Sequence, residues 1–327
     1  MIIHERMSFH KITTFRREAP INQLLYVRNS RELGKGGEYA YKKGLPVLLL
    51  GDGSNVLPTK IGFNGLVVIY KTPKCTFEPL SDNIVRIPGG QSLRATTLSL
   101  ARCGMDLTTF SGIPGTIGAA VHNNSGRTAL GRNIGECVKE VSTLDIRTGK
   151  THSMTNEELV FRNRSTVLKE PNNGTVITSV TLELPRMSSK KTMNFYKTVF
   201  RERYKKNREG VFTAGSAWIN DTLSRVCNFG EETIEGGSIQ TRDLIKKLGL
   251  DKIDINGAHL TRKYCFLRLE PDSSGKNTRT SDDDIRALMN LVGGRLKDEF
   301  GVDPVLEIEI IGPNGMISSE DFLSKNY

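Results

Sequence analysis

This sequence predicts a mixed α+β fold built in three pieces, and three observations carry the prediction. Its 327 residues exceed what one hydrophobic core usually organises, so several linked domains are expected. Short β-branched runs punctuated by glycine-rich turns fill most of residues 46–185, and helical periodicity dominates the stretches that follow. Hydrophobic residues make up 37%, and the 32 glycines bring the apolar share to roughly 47%, an ordinary globular value that excludes a disordered or fibrous chain. No apolar run reaches the roughly 18 residues of a membrane span, and the opening MIIHERMSFHKITTF has no apolar signal core, so a cytoplasmic protein is expected. Cys75, Cys103, Cys137, Cys227 and Cys265 form an odd, scattered set without a CxxC pair. Neither a disulfide framework nor a metal site is expected from them.

Taken in order, PVLLL (46–50) meets the turn GDGSNVLP (51–58), and GLVVIY (65–70) follows, which reads as strand, loop, strand. A second block opens with IVRIPGG from Ile84, passes a helical segment over 93–103, and reaches a second glycine-rich turn, SGIPGTIGAAVHNNSG (111–126). Strands return at 141–150 and 175–185. Next comes 186–210, with nine Lys/Arg against two acids, which is +7 of the chain's net +10. There Met193, Tyr196, Phe200 and Tyr204 recur at spacings of three and four, the mark of an amphipathic helix with a basic outer face. Such a face is either merely solvated or a site for phosphates, of a nucleotide-sugar or of nucleic acid; no DNA- or RNA-binding motif accompanies it, so a nucleic-acid partner is not expected. A helix over 241–248 stopped by Gly249 follows, then another over 282–300, with Ser281 as N-cap and Ile285, Leu288, Met289, Val292 and Leu296 as its buried stripe. LEIEIIG (306–312) closes the pattern as a strand. The expected domains are 1–82, 83–188 and 189–327.

The two glycine loops carry the chemistry. Gly51-Asp52-Gly53 suggests a dinucleotide fingerprint, but its third glycine position is Val56, and Pro58 blocks the helix that should begin there. What remains is a tight turn rich in backbone donors and small polar side chains, Ser54 and Asn55 among them, suited to wrapping a pyrophosphate. In the second loop Gly112, Gly115 and Gly118 permit close backbone approach, Pro114 fixes the turn, and Thr116 and Asn124 offer hydrogen bonds. Either loop alone is more often just a turn. Two of them, each after a strand, point to a shared dinucleotide.

GDGSNVL, FNGLVVI, SGIPGTIGAAVHNNSG, TSVTLELP, AGSAWIN (214–220), DLIKKLGL, GAHLTRKY (257–264) and LEIEIIG come in the order that resembles UDP-N-acetylenolpyruvylglucosamine reductases, the MurB family of peptidoglycan synthesis. The resemblance covers residues 7–312. It implies a two-subdomain FAD-binding module of the vanillyl-alcohol-oxidase/PCMH type, over 1–82 and 83–188, followed by an α+β substrate-binding domain. The short gap between TSVTLEL and AGSAW resembles the family branch without the tyrosine-bearing substrate loop. FAD and NADPH are the implied cofactors, and a UDP-sugar is the implied substrate. The implied flavin contacts are Gly51, Asp52, Gly53, Ser54, Asn55, Val56, Gly112, Ile113, Pro114, Gly115, Thr116, Gly118, Asn124 and Ile177.

Reducing an enol ether that carries a carboxylate needs a hydride donor, a group that polarises the carboxylate, and a proton donor for the adjacent carbon. By resemblance Ser216 is the proton donor, Arg164 polarises the carboxylate, Glu309 is its acidic partner, and Asn220 helps hold the nucleotide-sugar. Arg201 and Lys205 of the basic helix are further candidates for the diphosphate. Alternation alone places Glu309 on a solvent face opposite Leu306, Ile308 and Ile310; only the resemblance reverses this. The sequence also departs from the family pattern. Asn163 stands for a tyrosine, Arg127-Thr128-Ala129 alter the asparagine loop, Arg17-Glu18 replace a glycine pair, Ile219 replaces a lysine, and Tyr264 replaces a histidine. Two other readings stay open: a flavoprotein of this fold acting on another unsaturated acid or sugar nucleotide, and a non-catalytic binder of nucleotide-sugars or nucleic acid.

Overall fold

The computed structural model describes residues 1–127, 132–169, 174–207, 212–219, 240–301 and 303–326. The chain divides into two compact units: Met1–Met7, Ile21–Gly53 and Phe63–Arg208 form the first, while Ser8–Pro20, Ser54–Gly62 and Glu209–Tyr327 form the second.

The first unit holds two sheets. In one, the order is Ile3–Ser8, Pro20–Val27, Phe63–Tyr70, Val47–Leu50, and the last three run parallel. A parallel pair needs a crossover. Helix α1 (Ser30–Lys42) provides it, capped by the Asn29 side chain, which accepts from the Glu32 N–H at 2.9 Å. In the other sheet, Thr151–Thr155, Val138–Asp145, Thr175–Glu183, Ile84–Pro88 and Glu78–Pro79 pair antiparallel throughout. Leu25, Leu66 and Val68 of the first sheet share one buried cluster with Leu144 and Val176 of the second and with Ile146 beyond it. The predicted helix at 93–103 is α2 (Leu93–Arg102), and the second glycine loop leads into the short α3 (Ile117–His122).

The basic helix is α4 (Ser189–Asn207). The sequence reading opens its third domain at residue 189, whereas the structure keeps this helix in the first unit. Its Tyr196 is buried, and Arg94 of α2 stacks its guanidinium over Phe200 at 4.7 Å. Tyr204, counted in the spacing that marks the amphipathic helix, is 55% exposed and stacks on Phe200.

In the second unit, Thr213–Ser216, Phe266–Leu269, Ala258–Leu260 and Asp254–Ile255 form an antiparallel sheet in that order. A three-stranded sheet joins Gly315–Ile317, Glu309–Gly312 and Val56–Pro58, the last pair parallel. Pro58 thus ends a strand where the fingerprint would need a helix. Helices α5 (Thr241–Lys247), α6 (Asp282–Phe300) and α7 (Ser319–Ser324) cover the core. Helix α6 follows its prediction closely: Ser281 caps it by accepting from the Asp284 N–H, and all five residues of the expected stripe are buried. Gly301, at φ 66°, ends it in the left-handed conformation that glycine adopts without strain.

Candidate active site

In the first unit the two glycine loops, some sixty residues apart in sequence, are brought together. The Asp52 carboxylate accepts from the Gly115 N–H at 2.9 Å and pairs with Lys71 at 2.8 Å. A side chain at Gly51 would meet Thr116 Oγ1 at 2.8 Å, so the missing Cβ lets one loop lie on the other. Gly118 does the same for the second sheet. A Cβ there would stand 3.1 Å from the Gly89 carbonyl oxygen and 3.3 Å from that of Ile177, while the Gly118 N–H donates to Gly89 at 2.8 Å. Gly89 and Lys71 were not singled out in the sequence; the PGG run of residues 88–90 was the available signal for the first. Gly53 and Gly115 have positive φ, 59° and 124°.

Thr116 caps α3 through the Ala119 N–H. Ile113 and Ile177 are buried in the surrounding core. Over Gly112 lies the stem of Arg203, 2.9 Å from where a Cβ would be, so the basic helix reaches the second loop through Arg203, while Arg201 and Lys205 are exposed.

These loops fit a polar dinucleotide. Ser111 Oγ and Asn123 Oδ1, both within the second loop, are buried without a hydrogen-bond partner among the described residues. Buried polar atoms normally have one, so the loop retains hydrogen-bonding capacity for a ligand. Asn124 differs from this. At φ 40°, its amide donates to the Arg162 carbonyl at 2.8 Å and accepts from the Gly135 N–H at 3.1 Å. Its side chain therefore braces the turn that carries Arg164. In that turn Arg162 and Ser165 exchange backbone hydrogen bonds, and Arg164 takes φ 55° with its guanidinium donating to the Gly126 carbonyl at 3.3 Å. Asn163 of the same turn is exposed.

The second unit brings Ser216 and Glu309 into one neighbourhood. Ser216 ends its strand opposite Phe266, just past an irregularity where Gly215 takes φ 94° and its N–H donates to Thr213 Oγ1. The next residues run beside the 305–309 segment: Glu307 N–H donates to the Ala217 carbonyl, Ile219 N–H to the Val305 carbonyl, each at 2.8 Å, and Trp218 bridges Leu306. On the other side of that segment, Glu309 N–H donates to the Asn55 carbonyl at 3.0 Å, and Asn55 Nδ2 donates to the Glu307 carbonyl at 3.0 Å. Glu309 is half-buried with Oε1 shielded from solvent, so it is not the fully solvent-facing residue that alternation predicts. Ser54 and Val56 lie on the same stretch as Asn55. Asn220 lies outside the described residues. Among the described residues no cluster of His, Cys, Asp or Glu could hold a metal ion, and no described helix is long and apolar enough to cross a membrane.

A family model described as an FAD binding domain matches residues 21–155. Over 314 residues the chain is 25% identical to the UDP-N-acetylenolpyruvoylglucosamine reductase of Clostridioides difficile (strain 630), covering 95% of this chain and 93% of that protein. It is 28% identical over 313 residues to the protein of the same name from Anoxybacillus flavithermus (strain DSM 21510 / WK1), covering 94% and 93%. In fold it is similar to the crystal structure of UDP-N-acetylenolpyruvylglucosamine reductase from Thermus caldophilus, with a TM-score of 0.71 at 21% identity over 94% of this chain and 99% of that one. The motif order, the paired glycine loops and these likenesses agree: over nearly its whole length the chain is similar to UDP-N-acetylenolpyruvoylglucosamine reductases, and it carries a match to an FAD binding domain.

Proposed function

We propose that this protein is the cytoplasmic, NADPH-using reductase that converts UDP-N-acetylglucosamine enolpyruvate to UDP-N-acetylmuramate for peptidoglycan synthesis. The observation that carries the reading is the threading of residues 307–309 between Ala217 and Asn55, which gathers Ser216, Glu309 and Asn55. FAD, when bound, supplies the hydride that NADPH provides. The residues that would hold it are those of the two loops: Gly51, Asp52, Gly53, Gly112, Ile113, Pro114, Gly115, Thr116 and Gly118, with Ile177 behind them and Ser54, Asn55 and Val56 continuing the first loop.

Ser216 gives its hydroxyl proton to the carbon next to the one that receives hydride. A serine hydroxyl is a poor acid, so polar neighbours must stabilise the serinate left behind. Arg164 stabilises the charge that builds on the substrate carboxylate, and Glu309 acts with it as the acidic partner. Arg201 and Lys205, on the exposed face of α4, attract the diphosphate, and Asn220 helps hold the sugar nucleotide. The flavin titrates onto the purified protein and NADPH consumption depends on the enolpyruvyl sugar if the reading holds; a protein that takes up no FAD sinks it.

One observation favours a second reading, a reductase of the same chemistry with a shifted substrate. Where the family pattern has a lysine, Ile219 offers no charge and its N–H is committed to Val305. NADPH consumption with a different unsaturated acid, and none with the enolpyruvyl sugar, would select it.

A further inference from the structure

Arg17 is the largest fully buried side chain among the described residues, and it carries a charge. Burying a guanidinium costs several kcal/mol unless it is paired and hydrogen-bonded. Here it is both. Its Nη1 pairs with Asp282 Oδ1 at 2.5 Å and donates to the Pro58 carbonyl at 2.9 Å, and its Nη2 donates to the Thr280 carbonyl at 3.0 Å. Asp282, the first residue of α6, also accepts from the Lys60 N–H at 3.1 Å. The backbone on both sides of Thr59 is therefore gripped by one ion pair. Between the two grips the Thr59 N–H donates to the Ile311 carbonyl at 2.8 Å.

The segment so held is the parallel strand Val56–Pro58, whose partner begins at Glu309 and whose preceding residue, Asn55, hydrogen-bonds both Glu307 and Glu309. A slip of this strand by one residue would turn Asn55 and Glu309 away from each other. Only a planar fork with several donors can meet a carboxylate and two carbonyls at once, which an ammonium on a flexible stem cannot reproduce. We propose that Arg17, through its pair with Asp282, is a positioning residue: it sets the register that holds Asn55 of the flavin loop against Glu309. The proposal rests on the functional reading of those two residues given above.

The test uses the full chain. Arg17→Met with Asp282→Leu removes both charges together, which often leaves stability intact, whereas removing one strands the other. Melting of the flavin-free protein, the FAD dissociation constant from flavin fluorescence, and kcat and KM for the enolpyruvyl sugar are measured against the parent. The expected result is an unchanged fold with FAD affinity at least about tenfold weaker and kcat lowered about tenfold at a similar KM, matching Glu309→Gln in the second respect. Parental FAD affinity and kcat overturn the proposal, as does a lowered melting temperature with both unchanged. If the double variant does not fold, Arg17→Lys decides: it keeps the charge but loses the fork, so weaker FAD binding is expected, and parental binding overturns the proposal. A parent protein that binds no FAD would instead overturn the functional reading itself.

Discussion

Ser216 owes its place to Gly215, whose φ of 94° no ordinary residue adopts without strain and which breaks the regular pairing one step before the serine. Ser216→Ala should leave flavin reduction by NADPH near the parental rate and slow the transfer to the enolpyruvyl sugar by roughly two to four powers of ten. Stopped-flow absorbance separates the two half-reactions, and an unimpaired second one would remove the serine from the chemistry. Cys265 makes a different kind of prediction. Burial pushes its thiol up from 9.0 to about 11. Between these values the unfolded chain releases a proton that the folded chain keeps, so stability falls as pH rises from 9 to 11. Urea melts of Cys265→Ala should show a shallower loss over that window, and alkylating reagents at pH 8 should modify Cys265 only after unfolding. Not all of this was legible in advance. Asn124 reads as a ligand residue because amides suit turns and phosphates alike, and only the structure shows its donor and acceptor directed to Arg162 and Gly135. Arg17 reads as a lost glycine, since nothing local announces an acceptor as far along the chain as Asp282.

The first glycine loop and α4 carry the next predictions. Gly53 sits at φ 59°, so a β-branched replacement is strained before any ligand is considered. Gly53→Val should abolish flavin retention through gel filtration, and stoichiometric FAD in that variant would sink the placement of the cofactor. On α4, Arg201→Ala with Lys205→Ala should raise the KM for the UDP-sugar several-fold with little change in kcat, because exposed charges aid binding before and during reaction alike. An unchanged KM with a fallen kcat would argue against a diphosphate role. Local pattern read helices well where cap and stripe agreed, as in α6. In α4 it did not distinguish the exposed Tyr204 from the buried Tyr196, because spacing of three and four defines a stripe but not where a neighbour's cover ends; Arg94 of α2 lies over Phe200, one turn earlier than Tyr204.

The two-unit division was the least legible feature, since it depends on pairings between distant segments and no composition shift marks it. The division passes between Gly53 and Ser54, inside a loop that reads in sequence as one motif. Because the two glycine loops that meet in the first unit are proposed to hold FAD, adding the cofactor should stabilise the folded chain by about 2.7 kcal/mol at a free concentration one hundred times its dissociation constant. A thermal scan of apoprotein with and without FAD checks this; an unmoved midpoint would count against both loops as its site. The pairing of Val56–Pro58 with Glu309–Gly312 also dictates an order of events during synthesis. Asn55 meets Glu307 across 252 positions, so the early loop emerges from the ribosome long before its partner strand has been translated. The first unit can acquire its sheets while the chain is still growing, but the second closes only after translation has passed residue 312. Emergence of the Glu309–Gly312 strand, rather than emergence of the cofactor loop, therefore times the moment at which this enzyme can first become active.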